Sequence, residues 1–312
     1  MTPLHPDLRI TSYGYTLRRR FGVRVSKVNV DAGFTCPNRD GSRGVGGCIY
    51  CDNSSFSPPT TQPALSIEEQ FHHGAAWHRR RLGSERFIVY FQKHTNTYAP
   101  AERLESLYRR ALALPDVVGI SIGTRPDAVT PEVVSLLSDL SRNHFVTVEL
   151  GLQSIDDAIL SAINRGHTVE EYLTAVDRLA GRGIELCTHL IIGFNGEPET
   201  IGRESARFVS RLPIQSVKLH QLHVVRGTQL ESLYRQGLFS PLTLQEYLDR
   251  AVDFLAHLRP DIAIQRLYGS APLSIRVAPQ WGLKNNQMWY KVIHHLKRHD
   301  LWQGIHYRGE GP

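Results

Sequence analysis

Apolar positions along this chain change their spacing in a regular order. Short apolar or alternating runs recur at 28–34, 87–91, 117–122, 145–150, 185–192 and 217–222, each too short for a buried helix and bounded by turn-forming residues. Between them apolar residues return at helical spacing, as at Val133, Leu136, Leu137 and Leu140. Helix starts are marked too. Ser66 with Glu69 and Thr168 with Glu171 have the spacing of capping boxes, and Thr130-Pro131 opens the helix that carries the Val133 stripe. Gly181 and Gly183 stop the helix that Thr168 begins. Further helices are expected over 156–164 and 198–212. Six strands alternating with helices at about thirty residues per unit, the length of one βα repeat, predict parallel strands with covering helices, an α/β fold. The periodicity leaves both an open doubly wound sheet and a barrel available.

The flanks read differently. Residues 1–25 form a mixed leader, anchored on the rest by Tyr13, Tyr15 and Leu17. After about residue 230 the strand–helix alternation lapses. Thr243 and Glu246 cap a helix with core positions Tyr247, Val252, Phe254 and Leu255, residues 262–267 are a candidate further strand, and 286–297 form a basic amphipathic helix. We therefore divide the chain into a leader (1–25), a central α/β unit (26–230) and a C-terminal α/β extension (231–312) that packs on it.

At 312 residues and 41% hydrophobic, the chain can bury an ordinary core without metal or disulfide staples. Its four cysteines are too few for a disulfide framework. The first residues lack the apolar centre of a signal peptide, and a run such as Leu190-Ile191-Ile192-Gly193-Phe194 is far too short to cross a bilayer. A cytoplasmic protein without membrane contact is expected. The net charge is +6, with basic residues gathered at Arg18, Arg19 and Arg20 and again at Arg79, Arg80 and Arg81. That balance suits a nucleic acid or another phosphate-bearing partner, and suits equally a solvated helix face.

Candidate chemistry concentrates at 36–51. Cys36, Cys48 and Cys51 stand in the spacing C-x11-C-x2-C within a loop of Gly, Asn, Asp, Ser and Arg. Such a loop favours irregular backbone that can curl round a compact ligand. Structural zinc takes four protein ligands. No His lies in the loop, and Cys187 is far away in sequence, where it reads as a small buried apolar residue. Three thiolates suit an iron–sulfur cubane with one iron left open.

Those residues carry a resemblance. A three-cysteine loop after the first strand, with Tyr50 just before the last cysteine, resembles the radical S-adenosylmethionine (SAM) superfamily. The long first gap is typical of its Elongator-like branch. Asp31-Ala32-Gly33-Phe34-Thr35-Cys36-Pro37-Asn38-Arg39-Asp40-Gly41 is similar to the YhcC/YtqA group within that branch, and so is 265–272 (Gln-Arg-Leu-Tyr-Gly-Ser-Ala-Pro), expected to close the pocket. The resemblance implies a partial (β/α)6 TIM-like barrel with its chemistry at the C-terminal strand ends. It implies a 4Fe–4S cluster on Cys36, Cys48 and Cys51, reductive cleavage of SAM to a 5′-deoxyadenosyl radical, and hydrogen abstraction from an unassigned substrate. An electron donor such as flavodoxin or ferredoxin is implied as a partner.

By the same carry-over, Tyr50 lies against the adenine of SAM, Gln92 and Asn96 replace the usual amino-group contacts, and Glu149 and Gln153 lie near the ribose. Arg165 meets the carboxylate, and Gly193 belongs to the loop along the adenine. Glu149 at a buried strand end needs a cationic partner, for which Arg125 or Arg165 is the obvious candidate. On the sixth strand, alternation sends Lys218 and His220 to one face and Gln221 and His223 to the other. Relatives in the Elongator-like branch act on transfer RNA, which makes tRNA a candidate partner at the barrel mouth. A different class of reading is an RNA-binding protein with an inert zinc knuckle.

Overall fold

The computed structural model describes residues 9–52, 65–269 and 271–309. Residues 1–8 of the expected leader, and Ser270 within the 265–272 run, lie outside the described residues. The chain begins with α1 (Tyr13–Phe21) and β1 (Val25–Val30), then alternates through α2 (Ile67–Leu82), β2 (Arg86–Phe91), α3 (Ala101–Leu112), β3 (Val117–Thr124), α4 (Pro131–Ser141) and β4 (Phe145–Gln153). Two helices, α5 (Asp157–Ala162) and α6 (Val169–Leu179), lead to β5 (Glu185–Ile192), α7 (Ile201–Ser210) and β6 (Ser216–Gln221). The C-terminal part adds β7 (Val224–Val225), α8 (Gln229–Arg235), α9 (Leu244–His257), β8 (Ala263–Arg266), β9 (Arg276–Ala278) and α10 (Asn285–Arg298).

Seven strands pair in parallel in the order β1-β2-β3-β4-β5-β6-β8, so the fold is a partial barrel. The seventh strand comes from the C-terminal extension, which thus does more than pack on the outside. Beyond it, Ser12 bridges Ile264, and Gln303, fully buried, bonds to Thr11 N and Ile262 O and ties both chain ends to that edge. β7 and β9 make a small antiparallel pair. Three capping boxes form as their spacing predicts, at Ser66, Thr168 and Thr243.

β1 runs over Val25–Val30, earlier than the expected 28–34. The strand ends where Asp31 turns the chain: its carboxylate accepts the Gly33 N–H at 3.0 Å, and its own N–H goes to Gln70 Oε1 at 2.8 Å. The apolar run that follows is therefore already loop.

Alternation decides what each strand face meets. Phe87, Val89 and Phe91 of β2, and Val146, Val148 and Leu150 of β4, point outward into the apolar layer beneath the helices. The inward face is apolar at the N-terminal strand ends. There Val25, Ile88, Phe145 and Ala263 pack with Tyr13 and Leu17 of α1, which plugs that end of the barrel. One layer further toward the C-terminal ends the interior becomes polar, and above it opens a cavity roofed by the cysteine loop. Among the described residues no helix is long and apolar enough to cross a membrane.

Candidate active site

The loop that follows β1 is held by its own backbone and by the segment after α5. Cys36 O accepts from Arg39 N at 2.8 Å, Gly47 N donates to Asn38 O at 2.8 Å, and Cys51 N donates to Cys48 O at 2.9 Å, closing the C-x2-C turn. Across the gap, Asn164 Nδ2 donates to Gly47 O at 2.8 Å, and Ile49 N donates to Ile163 O at 3.1 Å. Gly47 has φ +79°, and a Cβ there would stand 2.8 Å from Arg39 Nε, so that turn requires glycine. All three loop cysteines are free thiols, and all three line the cavity. Burial, with Cys48 and Cys36 beside it, pushes the Cys51 thiol up to about 11, the mark of sulfurs gathered at one place.

Whether that place suits one ion or a cluster follows from the number of thiols. Structural zinc takes four protein ligands, whereas the loop brings three free thiols to the cavity, the number a cubane with one open iron takes. The loop therefore fits a cluster better than a closed zinc site. Elsewhere in the barrel, ligand atoms of Glu149, Cys187 and His189 lie within 4.8 Å of one another. The Glu149, Cys187 and His189 trio is no cation site, because two ammonium groups already stand against its carboxylate.

Arg165 reaches into this loop. Its Nη2 donates to Gly151 O at 2.7 Å, its Nη1 lies 3.7 Å from Cys48 Sγ, and its buried Nε has no partner among the described residues. Gly151 makes room for it, since a Cβ there would meet Gln153 Nε2 at 2.5 Å and Arg165 Nη2 at 2.7 Å. Gln153 sits on an irregularity in the β4–β5 pairing with φ +77°, a costly backbone state for a non-glycine residue, and it too lines the cavity. Tyr50 is buried in the cavity wall, its ring 5.8 Å from that of Phe194. Gln92 lines the cavity and accepts from Asn29 Nδ2.

Two expected contacts lie elsewhere. Asn96 is not among the lining residues: its Nδ2 donates to Phe91 O at 3.1 Å and Gly123 O at 2.8 Å, tying the ends of β2 and β3 together. Gly193 also lies outside the lining, with φ +115° and its N–H given to Glu197 Oε2 at 2.7 Å. That glutamate closes the β5 loop on itself.

Glu149 faces the cavity with partners other than those expected. Oε1 accepts from Lys27 Nζ and from Ser121 Oγ at 2.9 Å; Oε2 accepts from Lys218 Nζ, from Tyr90 OH at 2.6 Å and contacts His189 Nε2 at 2.8 Å. Neither Arg125 nor Arg165 takes part. Arg125 is bidentate on Asp127 at 2.8 and 3.0 Å and gives its third bond to Arg165 O. The reason is topological, because the barrel brings inward-facing lysines of β1 and β6 to the same depth as Glu149 on β4. With both oxygens saturated, the carboxylate has no lone pair left for a ribose hydroxyl. Burial pushes its pKa up, but Lys218 and Lys27 outweigh that and hold it well below the usual carboxylate range. Burial brings Lys218 down to about 8 against the pull of Glu149, and burial with Lys218 nearby brings His189 down to about 4.

Tyr90 and His189 had no motif to announce them. Their one signal is a polar residue at an inward position of a strand that is otherwise apolar. Lys218 and His220 do share the interior face, as alternation allows, and both line the cavity. The arginine clusters expected to serve the mouth lie at the other end. Arg18, Arg19 and Arg20 close α1, and Arg79, Arg80 and Arg81 close α2, each just before a strand begins. They therefore flank the plugged N-terminal strand ends, and Arg20 and Arg79 are paired there with Glu185 and Asp116.

Known proteins agree with this geometry. Residues 36–209 match the Radical SAM superfamily, beginning at Cys36, and residues 214–298 match the Radical SAM C-terminal domain. The chain is similar to YtqA of Bacillus subtilis (34% identity over 298 residues, 96% of this chain and 92% of the relative). It is also similar to YhcC of Escherichia coli (35% over 273 residues, 87% of each). In fold it is similar to the archaeal Methanocaldococcus infernus Elp3, with a TM-score of 0.67 at 19% identity over 89% of this chain and 64% of that one. A family match that starts on the first thiol of the roof and runs through the barrel leaves one conclusion: the chain belongs to the radical SAM superfamily of enzymes.

Proposed function

We propose that Cys36, Cys48 and Cys51 hold a 4Fe–4S cluster in the cavity roof and that SAM is held between that roof and the C-terminal strand ends. The observation that carries this reading is the convergence of three free thiols on the cavity that Arg165 and Gln153 also line. When bound, the cluster and SAM supply one-electron cleavage of a carbon–sulfur bond and abstraction of a hydrogen atom from substrate.

The chain's own residues do the rest. Arg165 sets a permanent positive charge beside Cys48, and its unpartnered Nε is a donor for a carboxylate. Tyr50 offers a ring face and Gln92 and Gln153 offer amide groups at the same opening. The α1 plug closes the opposite end, so substrate enters from the loop side and water is kept from the floor.

The test is anaerobic reconstitution with iron and sulfide, followed by reduction in the presence of SAM. About four irons per chain and release of 5′-deoxyadenosine are expected. One zinc per chain, with no iron retained, would overturn the assignment.

A further inference from the structure

One wall of the cavity holds more positive charge than the protein neutralises. Lys218 and Arg266 are register partners on β6 and β8, and both line the cavity beside His220. Glu149 is the one carboxylate bonded into this wall, and it is shared by Lys27 and Lys218. Arg266 is left over: no hydrogen bond or ion pair joins its guanidinium to another described residue. The other lining cations are committed, Lys93 to Asp31 at 2.9 Å, Arg125 to Asp127 at 2.8 Å, Arg165 to Gly151 O and Arg39 to Cys51 O. His220 Nε2 is buried and has no partner among the described residues. Burial, with Arg266 as the next influence, keeps that imidazole neutral, so it can present an N–H without adding charge.

Three cations to one carboxylate in a half-buried site is a costly arrangement unless an anion completes it. We infer that Arg266, Lys218 and His220 form an anion subsite, which receives a carboxylate or phosphate group of the enzyme's substrate inside the barrel. The role as a substrate subsite rests on the function proposed above; the capacity to bind an anion does not. Arg266 stands at the C-terminal end of β8, level with Lys218 of β6, and its planar fork suits either anion bidentately.

Calorimetric titration of the reconstituted protein with inorganic phosphate and, separately, with succinate at constant ionic strength tests this. At least one of the two should bind where chloride does not, and which one binds identifies the group as phosphate or carboxylate. Arg266→Gln should weaken that binding about 10–100-fold, as expected for loss of a charge-assisted bond, and Arg266→Lys by less. Iron content and melting temperature show whether each variant is folded; if Arg266→Gln is not, His220→Ala is read in its place, with an expected weakening of about 3–10-fold. Failure of both anions to bind the parent, or parent-like affinity in a folded variant, overturns the subsite. Absence of iron would instead strike the cluster, and the anion titration can be read on protein without it.

Discussion

The cavity has two walls built in opposite ways. On the loop side, thiols hang from irregular backbone held by main-chain bonds, glycine turns and the loop's own Arg39, with Arg165 leaning in from outside. On the strand side, Lys27, Tyr90, Ser121, Glu149, His189 and Lys218 come from six different strands of a rigid sheet and satisfy one another. On the function proposed above, the first wall is completed by a metal cluster. The second closes its bonds around Glu149 but leaves its charge incomplete. The difference teaches where tolerance lies: the loop wall should lose its ligand without unfolding the barrel, while the strand wall should resist any ligand change yet fail when one charge is removed.

The largest effect should come from the loop wall. Cys48→Ala, and equally Cys36→Ala or Cys51→Ala, should bring reconstituted iron from about four per chain to near zero with little change in the urea midpoint. Cys187→Ala should keep its iron, because that thiol is buried in the strand wall and its pKa is pushed up to about 12 by burial. Full iron in Cys48→Ala would break the comparison at its first term.

Next comes the strand wall. Glu149→Leu leaves two buried ammonium groups without a counter-ion, which should cost about 3–5 kcal/mol of stability measured by urea unfolding. Adding Lys218→Met should return part of it, since a smaller uncompensated charge remains. Acid sharpens the point. The folded carboxylate has a lowered pKa, so its contribution is present above the unfolded value of about 4.3 and is lost as pH falls through the folded one. The stability gap between the parent and Glu149→Gln should therefore be widest near neutral pH and close as the solution is acidified below about 4. A gap that stayed constant to low pH would mean that Glu149 is not the charge that holds this wall.

Arg165 joins the two walls, and its effect should be smaller. Arg165→Ala should keep the cluster and weaken SAM binding by about 10–100-fold in equilibrium dialysis, in line with the removal of other orienting groups around a metal centre. Unchanged affinity would pass the carboxylate of SAM to another donor.

The same contrast explains how much of the molecule is legible in its sequence. The loop wall is contiguous along the chain, so its spacing, glycines and Tyr50 read directly as chemistry. All seven sheet strands, β8 among them as the candidate strand at 262–267, and the capped helices are legible because burial and capping write local patterns. The strand wall is not, because each member is a single polar residue among apolar neighbours, and only the order of strands sets Lys27 and Lys218 against Glu149. Asn96 is ambiguous for a related reason: an asparagine beyond a strand end looks the same whether it binds a ligand or, as its Nδ2 does here, ties carbonyls of two strand ends.

The last prediction concerns the outside of the barrel, where the expected change is nil. The net charge of +6 favours polyanions without saying where they bind. If transfer RNA approaches the catalytic cavity, it must do so at the open, C-terminal strand ends, since α1 plugs the other end with Tyr13 and Leu17. Arg18, Arg19 and Arg20 lie on the plugged side, so they would not be among the groups that meet its phosphates. Each phosphate no longer neutralised by the protein lowers the slope of log affinity against log salt by roughly 0.7–0.9. Filter binding of total tRNA at several salt concentrations should therefore give the same slope for the parent and for the triple Arg18→Ala, Arg19→Ala, Arg20→Ala variant. The variant should also be close to the parent in stability, because Arg20 and Glu185 form a half-exposed pair worth at most about 1 kcal/mol. A slope flattened by about two or more would place the nucleic acid at the plugged end, away from both walls of the cavity, and would separate RNA binding from the radical chemistry altogether.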